Sequence, residues 1–206
     1  MTPPPAIVWF RQDLRIADNP ALRAARQPGR AVIPLFIHAP EEEVPWMPGG
    51  ASRWWLHQSL AALDARLRAA GSRLVIRRGP TRATLLDVAQ ETQADTVLWN
   101  RRHEPAVIAR DRVVKEALHN QGLTVESFNG ALLHEPWTIQ NKSRKPFQVF
   151  TPYWRHCLTK PDPAEPLPAP KSLPAPSTWP ASLVLGELEL QPKLAWGEGL
   201  SAAWQP

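Results

Sequence analysis

Five short apolar runs alternate with segments of helical periodicity, and this alternation most constrains how the 206-residue chain can fold. The runs cover residues 7–10, 31–37, 74–76, 96–99 and 125–128. They are almost continuously apolar, which is typical of a parallel sheet covered on both faces. The sequence therefore predicts an α/β protein with a doubly wound, five-stranded parallel sheet of the Rossmann-like kind.

The segments between the runs carry recognisable helix signals. Leucines recur every three or four residues after the second run, at Leu56, Leu60, Leu63 and Leu67. We expect Ser52 to cap that helix and Gly71 to end it. Asn19 followed by Pro20 predicts the start of an earlier helix. Two further helices are expected over residues 81–92 and 105–120.

The composition changes after about Tyr153. Eight of the 24 prolines lie between Pro161 and Pro180, where apolar periodicity is weak. Proline fixes φ and removes a donor, so this stretch is expected to be an extended linker or a surface strap. We predict an α/β domain over residues 1–135 and a proline-rich interdomain linker over 136–206. Trp196 and Trp204 are large apolar side chains with no remaining chain to cover them. This suggests that the surface that covers them lies beyond Pro206.

Composition and charge narrow the functional classes. The formal net charge of +5 permits contact with nucleic acid, but no dense basic cluster occurs. The single cysteine, Cys157, excludes an internal disulfide framework and lacks the partners of a nucleophile. The six histidines show no metal-ligand spacing, so no metal site is expected. With no signal peptide or membrane segment evident, we expect a soluble, cytoplasmic protein without membrane partners.

Ligands of doubly wound sheets gather at the carboxyl ends of the strands, which directs attention to the residues after each run. The first such turn contains no glycine, which argues against a dinucleotide site. It reads FRQDLRIADN over residues 10–19. Its two arginines and two aspartates suit a structural role, in which they pair with each other and cap the helix.

Three later strings are also distinctive. Residues 47–60 read MPGGASRWWLHQSL, where the free N–H groups of a starting helix favour an anion or an electron-rich ring near Arg53. Residues 99–105 read WNRRHEP, a polar cluster that suits either a binding rim or a solvated loop. Residues 141–154 read NKSRKPFQVFTPYW. We discount nucleic-acid binding there, because three charges in a loop are more often a solvated face.

Together the four strings resemble, in order, the N-terminal α/β antenna domain of the DNA photolyase and cryptochrome family. The resemblance implies a pigment that passes excitation to FAD, which in a photolyase donates an electron to a cyclobutane pyrimidine dimer. FAD and most DNA contacts belong to a helical domain of the same protein, and we expect this chain to lack it. No catalytic residue is therefore named: the resemblance implies that the full-length protein would be a DNA photolyase and that this chain alone is inactive. A cryptochrome photoreceptor domain and a free-standing flavin- or nucleotide-binding protein are the alternatives.

The resemblance also implies where the antenna pigment binds, between the ends of the second and fourth strands. The expected contacts are Phe36, Ile37, His38, Arg53, Arg101, Arg102 and Glu104. Folate-binding members carry an Asn-Glu pair where this chain has Ala106 and Val107, which favours FMN or 8-hydroxy-deazaflavin over methenyl-folate. Deazaflavin-binding relatives tend to have an acid at the position of Arg102, so that contact does not carry over.

Overall fold

The computed structural model describes residues 3–44, 47–194 and 196–203. Its strands are β1 Ala6–Phe10, β2 Val32–His38, β3 Val75–Arg78, β4 Thr96–Asn100 and β5 Thr124–Phe128. They form one parallel sheet in the order β3-β2-β1-β4-β5, with Phe10 of β1 opposite Phe36 of β2. The order reverses between β1 and β4, so the predicted doubly wound, five-stranded sheet is confirmed.

The helices that connect the strands are α1 Pro20–Ala25, α2 Gly50–Ala69, α3 Thr81–Thr92 and α4 Pro105–Asn120. Asn19 caps α1 as predicted, because its side chain accepts a hydrogen bond from the Leu22 amide. The prediction that Ser52 caps α2 is wrong. Gly49 occupies the N-cap in an extended conformation, and Ser52 lies within the first turn. Gly71, at φ +83°, follows the end of α2 as expected.

Two apolar layers cover the sheet, one on each face. Alternate residues of each strand point to opposite sides, so Phe10 and Phe36 pack with α1 and α2 while Trp9 and Ile37 pack with α3 and α4. The sequence signal for this was the nearly continuous apolar character of the central strands β1, β2 and β4. None of the described helices is both long and apolar enough to cross a bilayer.

Residues 161–190, the proline-rich segment and the ten residues that follow it, run along the α/β domain and are hydrogen-bonded to it; we call them the strap. The amide of Leu173 donates to the Ala70 carbonyl, and the amide of Val32 donates to the Pro174 carbonyl. Further along, the amide of Leu183 donates to the carbonyl of Ile76 at the sheet edge. Three strap leucines are buried in the core layer of α1 and α2, namely Leu173, Leu188 and Leu190.

Two helices lie outside this arrangement of sheet and strap. Helix α5, Phe150–Cys157, precedes the strap and has no buried residue. Helix α6, Glu198–Ala203, follows the strap. Trp196 stands just ahead of α6 and is partly exposed, whereas Trp204 lies outside the described residues.

Candidate functional site

A cleft of about 990 Å³ opens at the carboxyl ends of β1 and β2, the edge at which open α/β sheets bind ligands. We call it the strand-end cleft. Trp9 comes from β1, and the first turns of α2 form one wall. The strap contributes Leu188 and Leu190, and α6 contributes Leu200. The cleft therefore combines apolar and aromatic walls with a few charged side chains, as small-molecule sites do.

The structure brings five of the seven expected contact residues together in this cleft. Phe36 and Ile37 are buried at the end of β2, and half-buried His38 is the last residue of that strand. Arg53, on the first turn of α2, and Arg102, after β4, also line the cleft. Arg101 and Glu104 do not. Both line a second, neighbouring cleft.

Arg101 points away from the strand-end cleft because its partners lie on the other side. Its guanidinium donates to the carbonyl oxygen of Ser127 in β5 and forms an ion pair with Glu135. It also lies over the ring of Trp137, with its Cζ atom 5.7 Å from the ring centroid. These contacts tie the end of β4 to the segment that follows β5.

Arg102 lies between two carboxylates. Its Nη1 donates to Glu43 at 3.2 Å and its Nη2 to Glu104 at 2.7 Å. Burial by itself lowers the pKa of Arg102, but the hydrogen bonds to Glu104 and Glu43 outweigh it and raise that pKa. The hydrogen bond from Arg102 also lowers the pKa of Glu104. Arg102 therefore enters the cleft as part of a fixed, compensated charge cluster.

Two guanidinium groups lie over the ring of Trp9. The Cζ atoms of Arg11 and Arg110 lie 4.7 Å and 5.3 Å from the centroid of its ring. Arg11 donates to the Asp111 carboxylate at 2.6 Å, and burial lowers the pKa of Arg11 despite that partner. The Nε atom of Arg11 is buried with no hydrogen-bond partner among the described residues. Trp9 and both arginines line the cleft, so their side chains shape this corner of it.

Glu42 fixes the turn that closes the cleft on the side of α3. Its carboxylate accepts hydrogen bonds from the amide and the hydroxyl of Thr81, at 2.7 Å and 2.6 Å. It also lies 3.5 Å from Arg110 of α4. These contacts hold the turn Pro40–Glu43 to two helices at once. The adjacent Glu43 then holds Arg102 in place, so this wall of the cleft is pre-organised.

His38 is held in a partly desolvated position. Burial lowers its pKa below the ordinary 6.5, and the positive charge of Arg78 adds to the effect. The nearby Glu41 and Glu43 act in the opposite direction but do not cancel it. The neutral imidazole is therefore favoured, which leaves one nitrogen as an acceptor and the other as a donor for a ligand.

The first turn after β1 is held by Asn100. Its Nδ2 donates to Asp13 at 2.6 Å and to Asn19 at 2.9 Å, and its Oδ1 accepts from the Ala21 amide. Gly130 passes so close that an added Cβ would lie 2.7 Å from the Cγ atom of Asn100. The polar residues of this turn thus have the structural role considered from the sequence, with partners elsewhere in the chain.

The second cleft, of about 960 Å³, lies beside this turn, its arginines are already paired, and no Trp, Phe or Tyr occurs among the described residues that line it. Arg15 donates to the carbonyl oxygens of Asp18 and Gly130, and Arg101 and Arg102 pair with carboxylates as described. The strand-end cleft is therefore the stronger candidate for a ligand. Within the described ranges, no cluster of three or more potential metal-ligating residues occurs.

Sequence reasoning missed two tryptophans that line the strand-end cleft, Trp54 and Trp55. Their ring centroids lie 6.1 Å apart at 37°. Gly197 passes over Trp54 so closely that an added Cβ would lie 2.8 Å from its Nε1. The available signal was the pair itself, two large aromatic side chains that follow Arg53 at the start of a helix beside the expected site.

Comparison with known proteins gives one consistent result. The family model for DNA photolyase matches residues 6–171. A deoxyribodipyrimidine photo-lyase of Agrobacterium fabrum is 48% identical over 203 residues, which cover 98% of this chain and 42% of that protein. Cryptochrome-1 of Arabidopsis thaliana is 46% identical over 170 residues, which cover 82% of this chain and 25% of that protein.

A solved structure agrees with these sequence matches. The crystal structure of a bacterial class III photolyase from Agrobacterium tumefaciens superposes with a TM-score of 0.93 at 47% identity. The match covers 100% of this chain and 42% of that one. The chain thus spans less than half the length of these relatives and corresponds to their N-terminal part.

Proposed function

Because the chain belongs to the DNA photolyase family, as a homologue of the N-terminal domain of photolyases and cryptochromes, we propose that it is the light-harvesting part of a photolyase. In this proposal the strand-end cleft holds the antenna pigment. The complete protein uses FAD, bound in a further helical domain, to split cyclobutane pyrimidine dimers in DNA, and it works in the cytoplasm. Residues 1–135 supply the sheet and helices of the antenna domain, and residues 136–206 lead on to that helical domain, with the strap packed against the antenna domain on the way.

The strand-end cleft is the observation that carries the proposal. It lies at the sheet edge that binds ligands in this fold class, and its volume and aromatic walls suit a planar, conjugated molecule. The guanidinium groups of Arg11 and Arg110 lie over the ring of Trp9 in the same cleft and place positive charge beside that wall. The first turn of α2 adds backbone N–H groups, since no side chain caps this helix.

A bound pigment would absorb near-ultraviolet or blue light and pass the excitation on to FAD. The contribution of this chain is to bind that molecule and keep it in one orientation. Phe36 and Ile37 offer buried apolar contact at the strand end, and Arg53 offers a charge at the rim. The contacts of Glu42 and Glu43 hold the opposite wall still, so that the orientation of the pigment is retained.

For the class of pigment we propose a flavin, FMN or 8-hydroxy-deazaflavin, in preference to methenyl-folate. Support comes from Ala106 and Val107, which lack the side-chain hydrogen bonds that folate-binding members use. A pterin ring deprived of such partners loses about 1–3 kcal/mol for each. Val107 is buried, Ala106 is exposed, and neither is among the residues that line the cleft. The preference therefore rests on the sequence comparison.

Ligand titration tests both parts of the proposal. The purified chain is mixed separately with FMN, 8-hydroxy-deazaflavin and a methenyl-folate, and binding is followed by fluorescence. We expect one of the flavins to bind most tightly, and Arg53→Ala and Phe36→Ala each to weaken its affinity by about tenfold. Arg82→Ala is the matched control, since Arg82 is exposed on α3 outside the cleft.

The possible outcomes separate the two parts. Tightest binding to the folate would refute the flavin preference and leave the cleft in place. Unchanged affinity in both cleft variants would place the pigment elsewhere. We expect FAD binding and dimer repair only when the helical domain is present. Stoichiometric FAD bound to the purified chain, or light-driven loss of dimers with the chain alone, would contradict that assignment.

A cryptochrome-type photoreceptor is the second candidate, because the similarity to Cryptochrome-1 is almost as high as that to the photo-lyase. The two functions share this half of the fold and differ in the chemistry of the complete protein. An illumination assay on the complete protein with dimer-containing DNA separates them: a photolyase removes dimers, and a photoreceptor leaves them intact.

A further inference from the structure

Helix α5 carries large apolar side chains that the described part of the chain leaves uncovered. None of its eight residues is buried. Phe150 is 70% exposed, Trp154 49% and Tyr153 39%. Apolar side chains exposed singly are ordinary, but several together on one short helix mark an interaction surface.

These side chains form a continuous cluster. The rings of Phe150 and Trp154 stack with centroids 6.3 Å apart and planes 9° apart. Phe147 contacts Tyr153 edge to face at 6.4 Å, and Tyr153 lies 6.5 Å from Phe150. We call these four residues the α5 patch. A helix of eight residues is marginal in water on its own, so its order depends on burying this patch.

Size limits what can cover the patch. Eight helical residues extend only about 12 Å. A stable dimer of separate chains buries about 800 Å² on each partner, which is more than one such helix provides. A domain joined to the same polypeptide needs less, because the tether raises its effective concentration into the millimolar range. The patch therefore suits a partner within one polypeptide better than a second copy of this chain.

The charge around α5 and the length of a related photolyase both favour a partner domain in the same polypeptide. Residues 136–161 contain five Lys and Arg and no Asp or Glu, so the complementary surface is apolar with an acidic rim. The class III photolyase that superposes on the whole of this chain has more than half of its length outside the match. That remainder is long enough to be a domain that covers α5.

We propose that the α5 patch is the docking face for the domain that follows the matched region in photolyases. The proposal rests on the proposed function, because it takes the complete protein to have that domain. Phe150 and Trp154 insert into an apolar groove of the partner domain, and Lys145 and Arg155 meet acidic groups at its rim. Docking orders α5 and fixes the antenna domain relative to the partner.

The experiment uses a chimera in which this chain continues into the part of the Agrobacterium class III photolyase that lies beyond the match. Amide hydrogen exchange of residues 147–160 is measured by mass spectrometry in the chimera and in the chain alone. We expect exchange to slow by at least about tenfold in the chimera. Replacing both Phe150→Ser and Trp154→Ser is expected to abolish this protection.

The matched control replaces Ile108→Ser and Val113→Ser, two exposed apolar residues of α4 that are 44% and 52% accessible. This variant is expected to keep the protection. Equal exchange in the chain and the chimera overturns the proposal. The proposal is also overturned if sedimentation shows that the chain alone is a dimer and that the Phe150→Ser/Trp154→Ser variant is a monomer. Pigment affinity of the same variants reports separately on the strand-end cleft and is expected to stay unchanged.

Discussion

The indole rings of Trp9 and Trp99 meet edge to face, with centroids 5.5 Å apart and planes at 71°. They belong to β1 and β4, the strands between which the order of the sheet reverses. Both side chains are only 2% exposed. Trp9 also lines the strand-end cleft, so the ring of Trp99 supports the cleft from behind.

Removing that support is expected to be costly. Trp99→Ala leaves a cavity beside Trp9 and should lower the free energy of unfolding by about 3–5 kcal/mol, measured by urea denaturation. Trp137→Ala is the control, because Trp137 is 58% exposed and its removal should cost less than about 1 kcal/mol. Similar losses for the two variants would show that Trp99 is not a core residue.

Gly130 is expected to tolerate no side chain. An added methyl group would lie 2.7 Å from Cγ of Asn100, the residue that holds the first turn after β1. Gly130→Ala should therefore cost about 1–3 kcal/mol in unfolding free energy. Gly186→Ala is a matched control, since a Cβ there meets no atom within 4 Å and should change stability by less than about 0.5 kcal/mol. Equal stability of the two variants contradicts the close approach.

The strap is expected to contribute to the stability of the α/β domain. Leu173 is 2% exposed and packs with Leu67 and Ala70 in one core layer. Leu173→Ala should lower the free energy of unfolding by about 2–4 kcal/mol. Leu194→Ala, at a residue 76% exposed, should leave it nearly unchanged. A strap that is merely an extended linker predicts no difference between these variants.

The lowered pKa of His38 gives stability a defined pH dependence. The ordinary value of 6.5 applies to the unfolded chain, and the folded value is lower. The unfolded state therefore binds more protons between the two values, and stability is lost as the pH falls from 6.5 through that window. His38→Gln should remove this part of the dependence. An NMR titration of His38 that gives a pKa at or above 6.5 would contradict the prediction.

Much of the fold followed from local sequence signals. The central strands β1, β2 and β4 are nearly continuous apolar runs, and Asn19 with Pro20 marks the start of α1, because these signals depend only on neighbouring residues. The cap of α2 did not follow. Ser52 is the better capping side chain, but the extended conformation of Gly49 places the helix start ahead of it. The backbone geometry at Gly49 therefore sets where α2 begins, and the capping propensity of the side chains alone does not predict it.

The site was predictable where it depends on strand and helix ends. Phe36 and Ile37 lie in the cleft because they are at the end of β2, and the carboxyl ends of parallel strands share one edge of the sheet. Arg53 lies on α2, and it was expected there only from the family resemblance. Arg101 was expected in the cleft but lies outside it, because it pairs with Glu135, which is 34 residues away in sequence. No local pattern reveals such a pairing. The burial of Leu173 was equally hidden, since a proline-rich segment has no periodicity from which to read a buried face.

The buried strap leucines also determine when this domain can become complete during synthesis. The sheet ends with β5 at Phe128, yet Leu188 and Leu190 belong to its core and to the wall of the cleft. At bacterial or eukaryotic translation rates, those residues are made about 3–12 seconds after the last strand. A nascent chain thus passes through a stage in which all five strands exist while one core layer remains open to water. Ribosome pausing within the proline-rich stretch would lengthen that stage and expose apolar surface to chaperones.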